Sequence, residues 1–197
     1  LDPSRQVVGL FPGSRRSEVT RLLPTIIDAA RLLNQRFPSI QFVLPLASTL
    51  TDNDLAPWLK GCDLPITVTR ERIHDLMRAC DAVISVSGTV TLEVALVGTP
   101  LVIIYKLSPI TFQLAKRLVK VEHIGLCNIV AGETVAKELI QDDASPEQIA
   151  AEIGCLLSDE PYNREIKQQL SYVRERLGGG GADQRMADLV VSMAGQP

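Results

Sequence analysis

The sequence predicts an α/β fold: a doubly wound, Rossmann-like parallel sheet with extra helices at its C-terminal end. Three observations carry that expectation. Short runs rich in Val, Ile and Leu alternate with longer stretches whose apolar residues recur at helical spacing. The short runs are continuously apolar, which is the pattern of strands buried on both faces. The chain has 197 residues, 46% of them hydrophobic, enough for one sizeable core.

Taken in order, Gln6–Phe11 is the first strand, ended by Pro12-Gly13. Ser17–Phe37 is a helix with Val19, Leu22, Leu23, Ile26, Ile27, Ala30 and Leu33 on its apolar face, and Pro38 stops it. Ile40–Leu44 is a strand. Thr51–Lys60 is a helix with Gly61 just past its end. Pro65–Thr69 is strand-like, Ile73–Ala79 a short helix and Ala82–Val86 a buried strand. Val90–Val97 is a helix closed by Gly98-Thr99-Pro100, and Leu101–Tyr105 is another strand. The last third reads as helical: Ile110–Val121, Val135–Ile140, Pro146–Leu157, Tyr162–Leu177 and Ala182–Ala194. Ser145-Pro146 supplies a cap followed by proline at the first helical position. Gly178–Gly181 parts the last two helices. Crossovers between parallel strands are right-handed, so the loops leaving the strands gather along one edge, where ligands of such folds bind.

Composition excludes several functions. Net charge is −3 and aromatics make up 4%, so neither a basic field nor a stacking platform invites nucleic acid. Cys62, Cys80, Cys127 and Cys155 form no C-x-x-C pair and have no His at ligand spacing, so no metal is expected. No cofactor is expected either. A chain this long and apolar does not need disulfides, and reduced cytosolic thiols fit better. No signal peptide opens the chain, and no apolar run approaches the ~20 residues of a membrane span. Leu1–Arg5 reads as a linker feeding the first strand, which suggests that something has been cut away upstream.

Two strand-to-helix loops are candidate anion sites. The first is Pro12-Gly13-Ser14-Arg15-Arg16-Ser17-Glu18. Gly13 permits a tight turn, the helix start offers N–H groups and a positive dipole end, and Arg15 and Arg16 carry guanidinium forks suited to phosphate. The plainer reading is a generic turn with Ser14 or Ser17 as cap and two solvated arginines. The second loop is Ser85-Val86-Ser87-Gly88-Thr89-Val90-Thr91-Leu92-Glu93. Ser87, Gly88 and Thr89 make a small N–H-rich pocket. Glu93, placed in the first helical turn, either complements the dipole or accepts hydrogen bonds from a sugar diol. G-x-x-x-x-G-K-[ST], a G-x-G-x-x-G following a strand, and G-x-S-x-G are all absent, which disfavours P-loop, dinucleotide and hydrolase readings.

Blocks in order along the chain resemble the lipid-A-disaccharide synthases. They are Pro12-Gly13-Ser14-Arg15 with Glu18, Ser87-Gly88-Thr89-Val90-Thr91-Leu92-Glu93, Tyr105-Lys106, Leu114–Lys120, Asn128–Gly132 and Glu138–Gln141. The resemblance spans about Phe11 to Ala194 and implies the C-terminal, donor-binding domain of a GT-B glycosyltransferase. It implies an inverting transfer from UDP-2,3-diacylglucosamine to 2,3-diacylglucosamine 1-phosphate (lipid X), without metal, giving lipid A disaccharide 1-phosphate and UDP. The general base is expected in an N-terminal acceptor domain that this chain lacks, so the chain alone is expected to bind UDP weakly and turn over nothing. The last helix, 182–194, is a candidate to dock on that domain.

Carried over by position, Arg15 is the family's important arginine, assigned to the donor diphosphate and the leaving UDP. Gly13, Ser14 and Arg16 line the same loop. Ser87, Gly88 and Thr89 hold phosphates and Glu93 the ribose. The loop from Arg70 to Ile73 reads uracil, and Asn128 and Gln141 lie near the domain cleft. Cys127 departs from the family's common proline, which puts the local loop shape in doubt. A cytoplasmic enzyme of a Gram-negative-type bacterium, peripheral on the inner membrane, is the implied setting.

Other features have plainer readings beside functional ones. His74 and His123 have no carboxylate or Cys at catalytic spacing; His74 retains a place near uracil. Trp58 reads as packing. The basic stretch with Lys116, Arg117 and Lys120 is either an ordinary amphipathic helix or a face for anionic lipid. Two functional alternatives stay open: another UDP-sugar enzyme, an N-acetylglucosaminyltransferase or epimerase, and a non-catalytic nucleotide-sugar-binding module.

Overall fold

The computed structural model describes residues 1–70, 72–108, 122–178 and 180–194. Its strands are β1 (Val7–Phe11), β2 (Gln41–Pro45), β3 (Ile66–Thr69), β4 (Ala82–Val86), β5 (Leu101–Tyr105) and β6 (Lys137–Ile140). They form one six-stranded sheet in the order β3-β2-β1-β4-β5-β6, with every neighbouring pair parallel. The helices are α1 (Arg16–Arg36), α2 (Asp52–Leu59), α3 (Ile73–Ala79), α4 (Thr89–Val97), α5 (Leu126–Ala131), α6 (Pro146–Ser158), α7 (Glu160–Leu177) and α8 (Ala182–Ala194).

The continuous apolar runs are central strands. Every residue of β1 and of β4 is buried, because helices cover both faces of a parallel sheet. The apolar stripe of α1 is buried along its length, with Val19, Leu22, Leu23, Ile26, Ile27, Ala30 and Leu33 all in the core. α1 packs against α2 and α6, whereas α4 packs against α3, α5 and α7. Two helical layers thus enclose one hydrophobic core. α6 begins as its sequence requires: Ser145 Oγ accepts a hydrogen bond from Gln148 N, and Pro146 occupies the first turn.

Two expectations for the last third are corrected. Val135–Ile140 does not form a helix; Lys137–Ile140 is the edge strand β6, paired with β5 from Val102↔Lys137 to Tyr105↔Ile140. A run this short cannot be typed by periodicity. The unpaired edge of β5 decides it, by offering backbone partners that only an extended segment can meet. The helix α5 was not anticipated. It is one short turn-and-a-half between Gly125 and Gly132, and Gly132 closes it at φ +70. The expected helix Ile110–Val121 lies outside the described residues. α8 has no buried residue, and Met186, Leu189, Val190, Val191 and Met193 on it are exposed.

Candidate functional site

Strand order locates the site. The chain winds outward from β1 through β2 to β3, then returns to lay β4 on the other side of β1. The outgoing loops of β1 and β4 therefore diverge, and the crevice between them is the switch point where ligands of such sheets bind. Phe11 pairs with Ser85, so the Pro12–Arg15 and Ser87–Gly88 loops leave adjacent strands at the same edge. The two loops singled out in the sequence are the two that flank this crevice.

The first loop is closed by its own acid. Gly13 sits at φ +99, a conformation that favours glycine. Glu18 reaches back so that its Oε2 accepts from Ser14 N at 3.1 Å and Arg15 N at 3.2 Å. Glu18 thus occupies the N–H groups of the two residues just ahead of α1, as the acid of a capping box does. Neither Ser14 nor Ser17 is the N-cap; Arg15 is, with extended backbone. The loop also offers a ligand a side chain. Arg15 is 80% exposed, with Nη1 3.1 Å from Glu18 Oε1. Arg16 is turned elsewhere: its Nε lies 2.6 Å from Asp54 Oδ1. Asp54 also accepts from Thr51 N and Thr51 Oγ1, and these bonds hold its carboxyl below the usual carboxylate range. Arg16 therefore ties α1 to the start of α2, and Thr49 Oγ1 donates to Ser14 O at 2.6 Å to brace the same junction.

The second loop has no such acid. Gly88 is the N-cap of α4, and no side chain caps that helix. Its backbone is extended, and a Cβ built on it meets nothing within 4 Å. Thr91 N donates to Gly88 O at 3.2 Å, which leaves the N–H groups of Thr89 and Val90 without an intrahelical partner at the positive dipole end. Ser87 Oγ donates to Ile124 O at 2.8 Å, and Thr91 Oγ1 donates to Gly88 O at 2.8 Å, so the loop is held from within. Thr89, the first helical residue, is exposed. Glu93 is the fifth residue of α4, in its second turn rather than the first, because the helix starts one residue earlier than expected, at Thr89. Its Oε2 is 3.3 Å from His74 Nε2 on α3.

The loop after β3 is only partly free. Arg70 Nη1 donates to Leu50 O and Nη2 to Asp52 Oδ2, each at 3.2 Å, so Arg70 fastens the β2–α2 loop. Arg72 takes a left-handed conformation at φ +37, and Ile73 is 37% exposed.

Asn128 and Gln141 act on the backbone. Asn128 is fully buried. Its Nδ2 donates to Ala136 O and to Glu138 Oε1, each at 2.7 Å, and its Oδ1 accepts from Val135 N and Ala136 N. An amide holding these bonds has no capacity left for a ligand. Glu138 in turn accepts from Ile124 N and Gly125 N, each at 2.9 Å. Asn128 thereby supports, through Glu138 and Ile124, the carbonyl that receives Ser87. Replacing Asn128 with Leu is expected to lower stability by about 2–4 kcal/mol, since buried backbone groups of Val135 and Ala136 lose their partners; urea unfolding measures it. Gln141, after β6, lies away from the switch point. It sits at φ +56, and its amide pairs with Leu107, accepting from Leu107 N at 2.5 Å. It lines a cavity of about 570 Å³ with Arg21, Lys106, Ser108 and Ser145.

Sequence reasoning missed Glu18 as the loop's lock, although its position three residues after the N-cap is a capping-box signature. It also missed the His74–Glu93 contact, which joins separate crossovers and leaves no local trace. Burial pushes the thiol of Cys80 up to about 12 and that of Cys127 to about 11, so both stay protonated as packing groups. No described helix is long and apolar enough to cross a membrane.

The profile of one protein family, described as lipid-A-disaccharide synthetase, matches residues 1–190. The chain belongs to the lipid-A-disaccharide synthetase family. The lipid-A-disaccharide synthase of Trichlorobacter lovleyi is 81% identical over 196 residues, covering 100% of this chain and 51% of that protein. The chain thus spans about half the length of the curated relatives it matches. Among solved structures it is similar to the UDP-GlcNAc 2-epimerase of Neisseria meningitidis bound to UDP-GlcNAc, at TM-score 0.65 and 14% identity, over 98% of this chain and 46% of that one. It is also similar to the C-terminal domain of a group 1 glycosyl transferase family protein from Francisella tularensis, at TM-score 0.56 and 19% identity, over 85% and 83%. These likenesses bear on the fold, which is the Rossmann-like α/β fold of glycosyltransferase domains expected from the sequence.

Proposed function

We propose that this chain is the donor-binding half of a glycosyltransferase that joins UDP-2,3-diacylglucosamine to 2,3-diacylglucosamine 1-phosphate, giving lipid A disaccharide 1-phosphate and UDP. The observation that carries the reading is the pairing at the switch point of an uncapped helix start at Gly88 with the exposed Arg15 guanidinium. The diphosphate takes the free N–H groups of α4, and Arg15 closes on it from the β1 side. Arg15 also meets the negative charge that grows on UDP as the glycosidic bond to it breaks. Glu93, further along α4, accepts from the ribose hydroxyls. Uracil lies beside the loop from Arg70 to Ile73, and Ile73 supplies an exposed apolar surface there. The acceptor and the general base belong to a further domain, and the exposed apolar face of α8 suits docking on it. The enzyme works in the cytoplasm against the inner-membrane surface, where its acylated substrates reside.

Calorimetry with UDP tests the site. The chain is expected to bind UDP, and Glu93→Ala to weaken it about tenfold by removing a charged acceptor. Absence of UDP binding, or equal binding by the variant, overturns the assignment; sugar transfer by this chain alone overturns the division of labour. A UDP-N-acetylglucosamine enzyme is the second reading, favoured by the fold shared with the meningococcal epimerase. It predicts turnover of UDP-N-acetylglucosamine where the first reading predicts none.

A further inference from the structure

His74 is the residue that the site leaves unexplained. It stands in the first turn of α3, whereas Glu93 stands in the second turn of α4, and α3 packs against α4. The chain reaches His74 through a costly turn: Arg72, the N-cap of α3, holds φ +37 and ψ +61, a left-handed conformation rare outside glycine. Arg72 itself swings out to Asp75, with Nε 2.7 Å from Oδ2, so its side chain does not account for the turn by reaching the crevice. α3 begins at Ile73, directly after this turn, and His74 Nε2 lies 3.3 Å from Glu93 Oε2. The other carboxylate oxygen, Oε1, has no partner among the described residues.

We propose that His74 is the positioning residue for Glu93, holding one carboxylate oxygen so that the carboxylate is already aimed when a ribose arrives. The inference rests on the reading of Glu93 as the ribose acceptor. A ribose diol offers two hydroxyl donors, and a carboxylate accepts with both oxygens only when its plane is fixed. A free Glu side chain loses rotamer freedom on binding, and a partner that orders it beforehand removes that cost from the ligand step. An imidazole carrying its proton on Nε2 is a donor, and a small rotation of the ring turns the 3.3 Å contact into a hydrogen bond to Glu93. Both partners are partly exposed, 60% for His74 and 39% for Glu93, so the contact is screened and its effect is modest.

The test compares UDP with 2′-deoxy-UDP by calorimetry on the wild-type chain, His74→Ala and His74→Gln, with melting temperatures as a check on folding. Wild type is expected to prefer UDP. His74→Ala is expected to weaken UDP about two- to fivefold and 2′-deoxy-UDP less, so the preference shrinks. His74→Gln, whose amide donates at similar reach, is expected to restore it. Equal weakening of both nucleotides by His74→Ala, or an unchanged ratio, overturns the positioning role and leaves the Glu93 reading standing. A wild-type chain that binds UDP without preferring it to the deoxy nucleotide overturns the Glu93 reading, and this inference with it.

Discussion

Gly13→Ala is expected to destabilise the chain by about 2–4 kcal/mol, a fall of roughly 5–15 °C in melting temperature for a domain of this size. Two effects combine. At φ +99 an alanine is strained whatever room it has, and here it has none: its Cβ would lie 2.3 Å from Glu18 Oε2. Glu18 must then move and release the N–H groups of Ser14 and Arg15. The double variant Gly13→Ala/Glu18→Ala separates the two effects, since it removes the clash and leaves the backbone strain. It is expected to lose less than the sum of the single losses in thermal unfolding. A Gly13→Ala chain that melts with the wild type would mean that the loop is not held this way.

The second large effect is on the ligand. Arg15→Ala is expected to weaken UDP binding about 10- to 100-fold while changing stability by less than about 1 kcal/mol. The asymmetry follows from what Arg15 touches. Without ligand its guanidinium meets only Glu18 at the surface, a contact of little worth when four-fifths of the side chain is in water. A diphosphate offers charge-assisted, bidentate bonds that an exposed carboxylate contact does not match. Titration calorimetry at two salt concentrations is the check, because loss of a phosphate contact also flattens the salt dependence of affinity. An Arg15→Ala chain that binds UDP like wild type removes Arg15 from the site. Gly88→Ala is the natural companion: its extended backbone and empty surroundings predict little change in folding and a clear loss of UDP, the reverse of Gly13→Ala.

Much of this is legible in the sequence. Continuous apolar runs identify β1, β2, β4 and β5, since only strands covered on both faces dispense with polar alternation. The apolar stripe of α1 was read residue by residue, because a long helix repeats its signal often enough to be unambiguous. Val135–Ile140 reads as a helix for the opposite reason: so short a run carries no period, and the partner that makes Lys137–Ile140 a strand lies more than thirty positions upstream in β5. The site divided in the same way. Its loops could be named from glycines and hydroxyls at strand ends, but Asn128 could not be recognised as a buried bracket, because nothing local tells whether an amide faces a ligand or its own backbone.

The sequence by itself determined the alternation of strand and helix, and so the edge at which a ligand must bind; it also placed Gly13, Arg15, Ser87 and Gly88 in loops on that edge. Only the tertiary structure decided what holds those loops. Thr49 Oγ1 donates to Ser14 O in the first, and Ser87 Oγ of the second donates to Ile124 O. It likewise decided that Arg16 serves α2 through Asp54, and that Glu93 has His74 for a neighbour. The physical reason is common to all four. Hydropathy and turn chemistry act between residues near in sequence, but hydrogen bonds are made with whatever group the packing brings within about 3 Å, and that partner is a property of the assembled fold.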